Sequence, residues 1–159
     1  MNHPVWRQLV GGWSTGLVAE LRSGSPYGVI ELVNGTNAFS PAQRPNVAGD
    51  PKITGNRSRG EQVERWFDTS AFRQPPQFTF GNAGSTAGYG PGAINMDLSI
   101  LKDFRLAEQH RLQFRTKMLN FINHANFALP NLQRGNPAFG QITGAAQARV
   151  IQFGLHYRF

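Results

Sequence analysis

Four stretches of this chain alternate apolar and polar side chains with a period of two, and the last of them runs to the final residue. In "GGWSTGLVAELRS" one face carries Trp13, Thr15, Leu17, Ala19 and Leu21, while Gly12, Ser14, Gly16, Val18, Glu20 and Arg22 take the other. "INMDLSILKDFRL" sets Ile94, Met96, Leu98, Ile100, Lys102, Phe104 and Leu106 against Asn95, Asp97, Ser99, Leu101, Asp103 and Arg105. "RLQFRTKMLNFIN" sets Leu112, Phe114, Thr116, Met118 and Ile122 against Arg111, Gln113, Arg115 and Lys117, with Leu119 and Phe121 blurring its end. The tail sets Ile151, Phe153, Leu155, Tyr157 and Phe159 against Gln152, Gly154, His156 and Arg158. A helical period fits none of the four. Alternation of this kind is the mark of a strand with two unlike faces.

The connections are unequal. A tight polar turn around Ala107–His110 joins the second and third stretches, whereas residues 35–92 and 124–147 form two long loops rich in Gly, Pro and Asn. Compact water-soluble domains rarely hold so much irregular chain. Transmembrane β-barrels have this rhythm, with short turns on the periplasmic side and long loops outside. Parity agrees, because a tail that ends in the periplasm puts both long loops outside and the Ala107–His110 turn within. A tilted membrane strand needs about 9–11 residues, and strands near 9–23, 94–106, 110–123 and 148–159 supply that length. The fold class expected is therefore all-β, an antiparallel transmembrane β-barrel fragment of about four strands with two long external loops. Charged residues make up only 16% of the chain, below the roughly 25% of soluble domains, which fits a surface that partly avoids water.

On this reading Leu17, Leu21, Ile94, Met96, Leu98, Ile100, Phe104, Leu112, Phe114, Phe153 and Leu155 face lipid. Glu20, Arg22, Asp97, Asp103, Arg115 and Lys117 face a polar lumen, where Asp97 and Asp103 are expected to pair across strands with Arg115 and Lys117. Lys102 falls on the lipid face near the periplasmic end, where its ammonium can snorkel to the interface.

Other chemistries find little support. With no cysteine, thiol catalysis, thiolate metal sites and disulfides are excluded. His3, His110, His124 and His156 have no metal-ligand spacing, and Asp68, Ser70 and His110 lack the strand–turn–helix setting of a nucleophile. "GNAGSTAGYG" has no lysine for a phosphate loop and reads as a flexible turn. Neither an enzyme nor a cofactor is expected. "MNHPVWRQLV" is not a signal peptide, and no apolar run approaches the roughly 18 residues of a membrane helix. The net charge of +7 keeps one alternative open, a small basic soluble β-protein that binds nucleic acid or another polyanion through Arg111, Arg115, Lys117 and Arg149. Such a sheet would need a second layer over Ile94, Met96, Leu98 and Ile100. The aromatic loop stretch "RWFDTSAF" is expected to fold the first long loop down rather than to touch ligand.

The tail also carries a pattern. Gln152, Gly154, Tyr157 and Phe159 match the polar, glycine, hydrophobic and terminal aromatic positions of the assembly signal in the last strand of bacterial outer-membrane barrels. The ordered stretches "GGWSTGLVAELRSGSPYGV", "RWFDTSAF", "FGNAG", "GPGAINMDLSILKDF", "LQFRTKMLNFINHANF" and "IQFGLHYRF" resemble the C-terminal barrel end of Oar-like TonB-dependent transporters, many of which carry a carboxypeptidase-regulatory-like domain. Ser85 stands where the family often has Arg, and Lys117 where it often has an acid. The resemblance implies a barrel of about twenty-two strands around a plug, of which this chain is a truncated part. It implies outer-membrane lipid, the barrel-assembly machinery and, through an N-terminal part upstream of Met1, the TonB complex as partners. It further implies active uptake of a small-molecule, saccharide or peptide substrate, no nucleic acid, residence in the bacterial outer membrane, and no transport by the piece alone.

Overall fold

A computed structural model of the chain describes residues 6, 9–40 and 43–159, so His3 lies outside the described residues. The chain divides into two compact units. The first gathers the residues up to Leu21 with Ile94–Ala125 and Gln147–Phe159; the second gathers Arg22–Ala93 and Asn126–Ala146.

The first unit is one sheet. Its strands are β1 (Trp13–Arg22), β7 (Ala93–Arg105), β8 (Arg111–Leu119) and β10 (Val150–Arg158), in the spatial order β1-β7-β8-β10. β7 and β10 both pair antiparallel with β8, with Leu98 and Ile151 flanking Met118 and Lys102 and Leu155 flanking Phe114. The Asp103 N–H donates to the Gly12 carbonyl at 2.9 Å and the Ser99 hydroxyl to the Gly16 carbonyl at 3.2 Å, so β1 runs antiparallel to β7. The sheet is not closed, and β1 and β10 are its edges. Its rhythm is that of the sequence: β7 and β8 meet through a tight turn in which the Leu106 N–H donates to the His110 carbonyl at 3.0 Å.

Two backbone devices set where strands begin and end. Gly12 stands at φ 74, where a side chain is strained, and a Cβ there would lie 2.7 Å from the Asp103 carbonyl oxygen. At the far end of β8, Asn120 turns the chain at φ 48, a region that asparagine tolerates. Its amide then clips the loop, donating to the His124 carbonyl at 2.9 Å and accepting the His124 N–H at 3.0 Å.

The second unit is built from the connections β1–β7 and β8–β10. They hold three strand pairs: β2 (Pro26–Tyr27) with β6 (Gly88–Tyr89), β3 (Ile30–Glu31) with β9 (Gln133–Arg134), and β4 (Asn46–Val47) with β5 (Phe72–Arg73). Helix α1 (Arg59–Glu64) starts at a capping box, in which Glu61 N–H donates to the Ser58 hydroxyl and the Glu61 carboxylate accepts the Ser58 N–H at 2.7 Å. The core is aromatic. Phe67 is 1% exposed and meets Phe139 edge-on at 5.2 Å, Phe72 edge-on at 5.6 Å and Tyr27 at 5.5 Å.

That core joins both long connections, and a charge pair with a fully buried acid joins them again. Glu31 is fully buried; its Oε2 accepts Arg134 Nη1 at 2.7 Å and its Oε1 accepts the Val33 N–H at 3.2 Å. Arg134 Nε also donates to the Phe72 carbonyl at 3.3 Å. The Trp66 N–H to Gly140 carbonyl and Ile142 N–H to Val63 carbonyl bonds, each 2.8 Å, add backbone links between the same two connections. Removing one member of a buried pair strands the other charge, at a cost of about 3–5 kcal/mol. Arg134→Ala should thus loosen residues 22–93 and 126–146 while the sheet persists, read as faster proteolysis in those segments at sub-denaturing urea. Unchanged cleavage in Arg134→Ala would mean that the pair does not hold the loops.

Candidate functional site

The register places the apolar side chains of the sheet in rows on one face. Leu98, Met118 and Ile151 form one row, Ile100, Thr116 and Phe153 the next, and Phe104, Leu112 and Tyr157 lie toward the turn. Phe114 and Phe153 stack at 6.0 Å. Leu17, Leu21, Phe153 and Leu155 are 61–71% exposed, although they are among the most apolar groups of the chain. Ile94, Met96 and their neighbours on the central strand are half-buried by flanking strands.

The opposite face is polar, and two expectations about its charges need correction. Asp97 and Asp103 do not ion-pair with Arg115 and Lys117, because the register sets Gln113 opposite Asp103 and Ser99 opposite Lys117. Asp103 instead accepts Gln113 Nε2 at 2.8 Å, and Gln113 Oε1 accepts Arg115 Nε at 2.6 Å, so an amide relays the two charges. Asp97 accepts the Asn120 N–H at 2.9 Å and Asn95 Nδ2 at 3.1 Å, which ties it to the end of β8. Toward the tight turn Arg111 lies between Arg105 and Arg158. Glu20 and Arg22 occupy the end of β1 away from that row.

Lys102 is a further correction. It does not reach outward to water: it is 2% exposed, donates to the Leu9 carbonyl at 3.3 Å and to the Gly11 carbonyl, and lies 4.9 Å from the Trp13 ring and 5.2 Å from the Phe104 ring. Carbonyl oxygens and aromatic faces take over the solvation of its ammonium.

In the tail, Gln152 pairs with Lys117, Gly154 with Arg115 and Tyr157 with Leu112. The Tyr157 hydroxyl and His110 Nδ1 are 2.6 Å apart with their rings stacked at 5.8 Å, and Phe159 lies 5.9 Å from Tyr157. That contact uses His110, while the Ser70 hydroxyl donates to Asp68 at 2.8 Å within the Thr69–Ala71 turn. Bonds from the Ser70 hydroxyl and N–H, and then Arg65, hold the Asp68 carboxyl below its ordinary range. Asp68 thus serves as a turn cap. Among the described residues, no three His, Asp or Glu stand together as a metal site.

The family described as "Outer membrane beta barrel domain" matches residues 1–152. The chain belongs to this family. It is an outer-membrane β-barrel protein, and its open four-stranded sheet is part of a barrel wall. No curated protein and no solved structure matches the chain.

Within the loop unit of this barrel lies a cavity of about 560 Å³ that the sequence alone did not suggest. Tyr27, Asp50, Lys52, Gln62, Trp66 and Tyr89 line it. They come from separate stretches, brought together by the β2–β6 pair and by a bond from Trp66 Nε1 to the Tyr89 carbonyl at 3.0 Å. The Tyr27 ring packs on Phe67, and its hydroxyl has no protein hydrogen-bond partner among the described residues. Burial pushes its pKa from 10.0 up to about 12. A Cβ at position 88 would come within 2.7 Å of that hydroxyl, so Gly88 keeps the space open.

Below pH 10 Tyr27 is neutral whether the unit is folded or not. Between 10 and about 12 only the unfolded chain loses the proton, so the loop unit loses stability as pH rises through that window. Absorbance titration should show one of the three tyrosines ionising last, near pH 12, and Tyr27→Phe should remove that phase. Loss of a phase near 10 instead would show that Tyr27 is not buried.

Proposed function

We propose that the chain is barrel wall and external loop of an Oar-like TonB-dependent transporter, and that it takes part in active uptake without catalysis of its own. The carrying observation is that Leu17 and Leu21 on one edge strand, and Phe153 and Leu155 on the other, stay exposed on one face of the sheet. In water such a surface invites association; against acyl chains it is at rest. The long connections β1–β7 and β8–β10 leave the same end of the sheet, as external loops do, and β7–β8 closes at the other end with a short turn.

In a bilayer the open edges of β1 and β10 leave backbone groups unpaired at several kcal/mol each, so further strands must complete the wall. A transporter barrel of the Oar-like type supplies them, along with a plug and a segment that contacts the TonB complex. Lipid then covers the Leu17, Leu21, Ile94–Ile100, Phe104, Leu112, Phe114, Phe153 and Leu155 face, while the Glu20, Asp97, Asp103, Arg115 and Lys117 face borders the lumen. The Gln152, Gly154, Tyr157 and Phe159 pattern engages the assembly machinery. A polyanion-binding sheet in water fits less well, since the face opposite Arg111, Arg115 and Lys117 would have no solvent to suit it.

Two measurements test this. The protein, expressed within its natural precursor, should fractionate with the outer membrane, and deleting Phe159 or changing Phe159→Asp should leave most of it unassembled and protease-sensitive. Normal insertion of both variants would remove the assembly role of the tail. Uptake should stop when the proton gradient that drives TonB is collapsed; uptake that continues would mark a passive channel.

A further inference from the structure

We propose that the cavity of the loop unit binds the end of a neutral oligosaccharide. The proposal deepens the transport reading, and the saccharide's standing as the transported solute rests on that reading.

One phenol opens on the cavity. Tyr27 is 6% exposed, yet its hydroxyl has no protein partner among the described residues and forms part of the cavity wall. The hydroxyl is not sealed from solvent, so it is open to bond with whatever fills the cavity, and Gly88 leaves room for that partner.

Shape and chemistry narrow the occupant. A cavity of about 560 Å³ lies within the usual span of small-ligand sites, roughly 300–1,000 Å³, and is roomy enough for two sugar rings. Its walls include the rings of Tyr27, Trp66 and Tyr89, against which the C–H faces of a pyranose can lie. Around them are polar groups with capacity to spare. The Lys52 ammonium has no protein partner among the described residues, Asp50 uses Oδ1 to accept the Lys52 N–H at 2.9 Å and keeps its second oxygen, and Gln62 donates Nε2 to the Arg57 carbonyl at 3.0 Å and keeps Oε1. Donors and acceptors are thus both on offer. Sugar hydroxyls, each of which donates and accepts, match such a mixed set.

The placing of the charged groups favours a neutral occupant. Arg57 also lines the cavity, but its guanidinium is committed to the carbonyls of Trp66, Glu61 and Arg65 around the end of α1. Asp50 and Lys52 stand two residues apart, and with Arg57 the lining keeps one net positive charge. A carboxylate or phosphate would meet the Asp50 carboxylate beside the one open ammonium, whereas sugar hydroxyls can use both. An apolar peptide side chain would leave the Tyr27 hydroxyl unpaired still.

The test uses the protein extracted from outer membranes in lauryldimethylamine oxide, since glycosidic detergents would present sugars of their own. Maltose, cellobiose and diacetylchitobiose are titrated against tryptophan fluorescence, with Trp66→Phe identifying the signal that comes from Trp66 rather than Trp6 or Trp13, and with benzoate and trialanine as the anionic and peptide probes. At least one disaccharide should bind saturably and more tightly than both of those. Tyr27→Phe, which removes one oxygen and keeps the ring, should weaken that binding about 10-fold. Tyr89→Ala, at a ring already 67% exposed, should weaken it by a similar factor without unfolding the unit. No saturable disaccharide binding, tighter binding of benzoate or trialanine, or affinity unmoved in both variants would overturn the proposal. Saturable binding without energy-dependent uptake would leave the cavity as proposed and remove the transport reading. Energy-dependent uptake of another solute, with no disaccharide binding, would do the reverse.

Discussion

The whole arrangement depends on a sheet with one apolar face and no protein laid over the apolar side chains of its edge strands. In water the rows through Leu17, Phe153 and Leu155 would be an unsatisfied surface, and at about 25 cal/mol per Å² of apolar area the penalty grows with every row. Hydrocarbon removes that penalty and imposes another, because the backbone must then be paired at both edges. Strand alternation, antiparallel pairing and the need for closure follow from the same two conditions. Even Lys102 obeys them: with its charge set among carbonyl oxygens and the rings of Trp13 and Phe104, it needs no path to bulk water.

The second dependence lies in the loops. Two connections distant in sequence fold as one body because Phe67 and Phe139 meet in its core and because the half-buried Arg134 pairs with the fully buried Glu31. A buried pair adds little net stability but discriminates strongly, since only the arrangement that pairs both charges is tolerated. A fixed loop body can hold a cavity of defined shape. Loops of this length without such a core would sample too many conformations to keep the Tyr27, Trp66 and Tyr89 rings together, and the ordering cost would fall on any ligand that bound.

Much of the sheet was legible in the sequence because strand alternation is local: the faces of β1, β7, β8 and β10 follow from parity, and connection lengths point both long loops to one end. Parity fixes a face and leaves register open, which is why Asp103 meets Gln113 rather than Arg115. Parity is silent on the turn at Asn120, the first residue of "NFINHANF", and on helix α1 behind its Ser58–Glu61 capping box. "GNAGSTAGYG", expected as a flexible turn, is instead partly ordered, through the pairing of Gly88–Tyr89 with Pro26–Tyr27. The Glu31–Arg134 pair and the cavity left no such trace. Their members come from stretches whose meeting is decided by tertiary packing, and no periodicity within either stretch encodes it.

The contact of alternate side chains with hydrocarbon can be measured directly, since a chain without cysteine accepts single nitroxide labels with no background. Labels introduced one at a time from Ile151 to His156, in protein reconstituted into lipid bilayers, report collisions with dissolved oxygen and with a water-soluble nickel chelate. The account predicts high oxygen and low nickel contact at 151, 153 and 155, with the opposite at 152, 154 and 156. Nickel contact at all six positions, or a first row shielded from both reagents by protein, would contradict it.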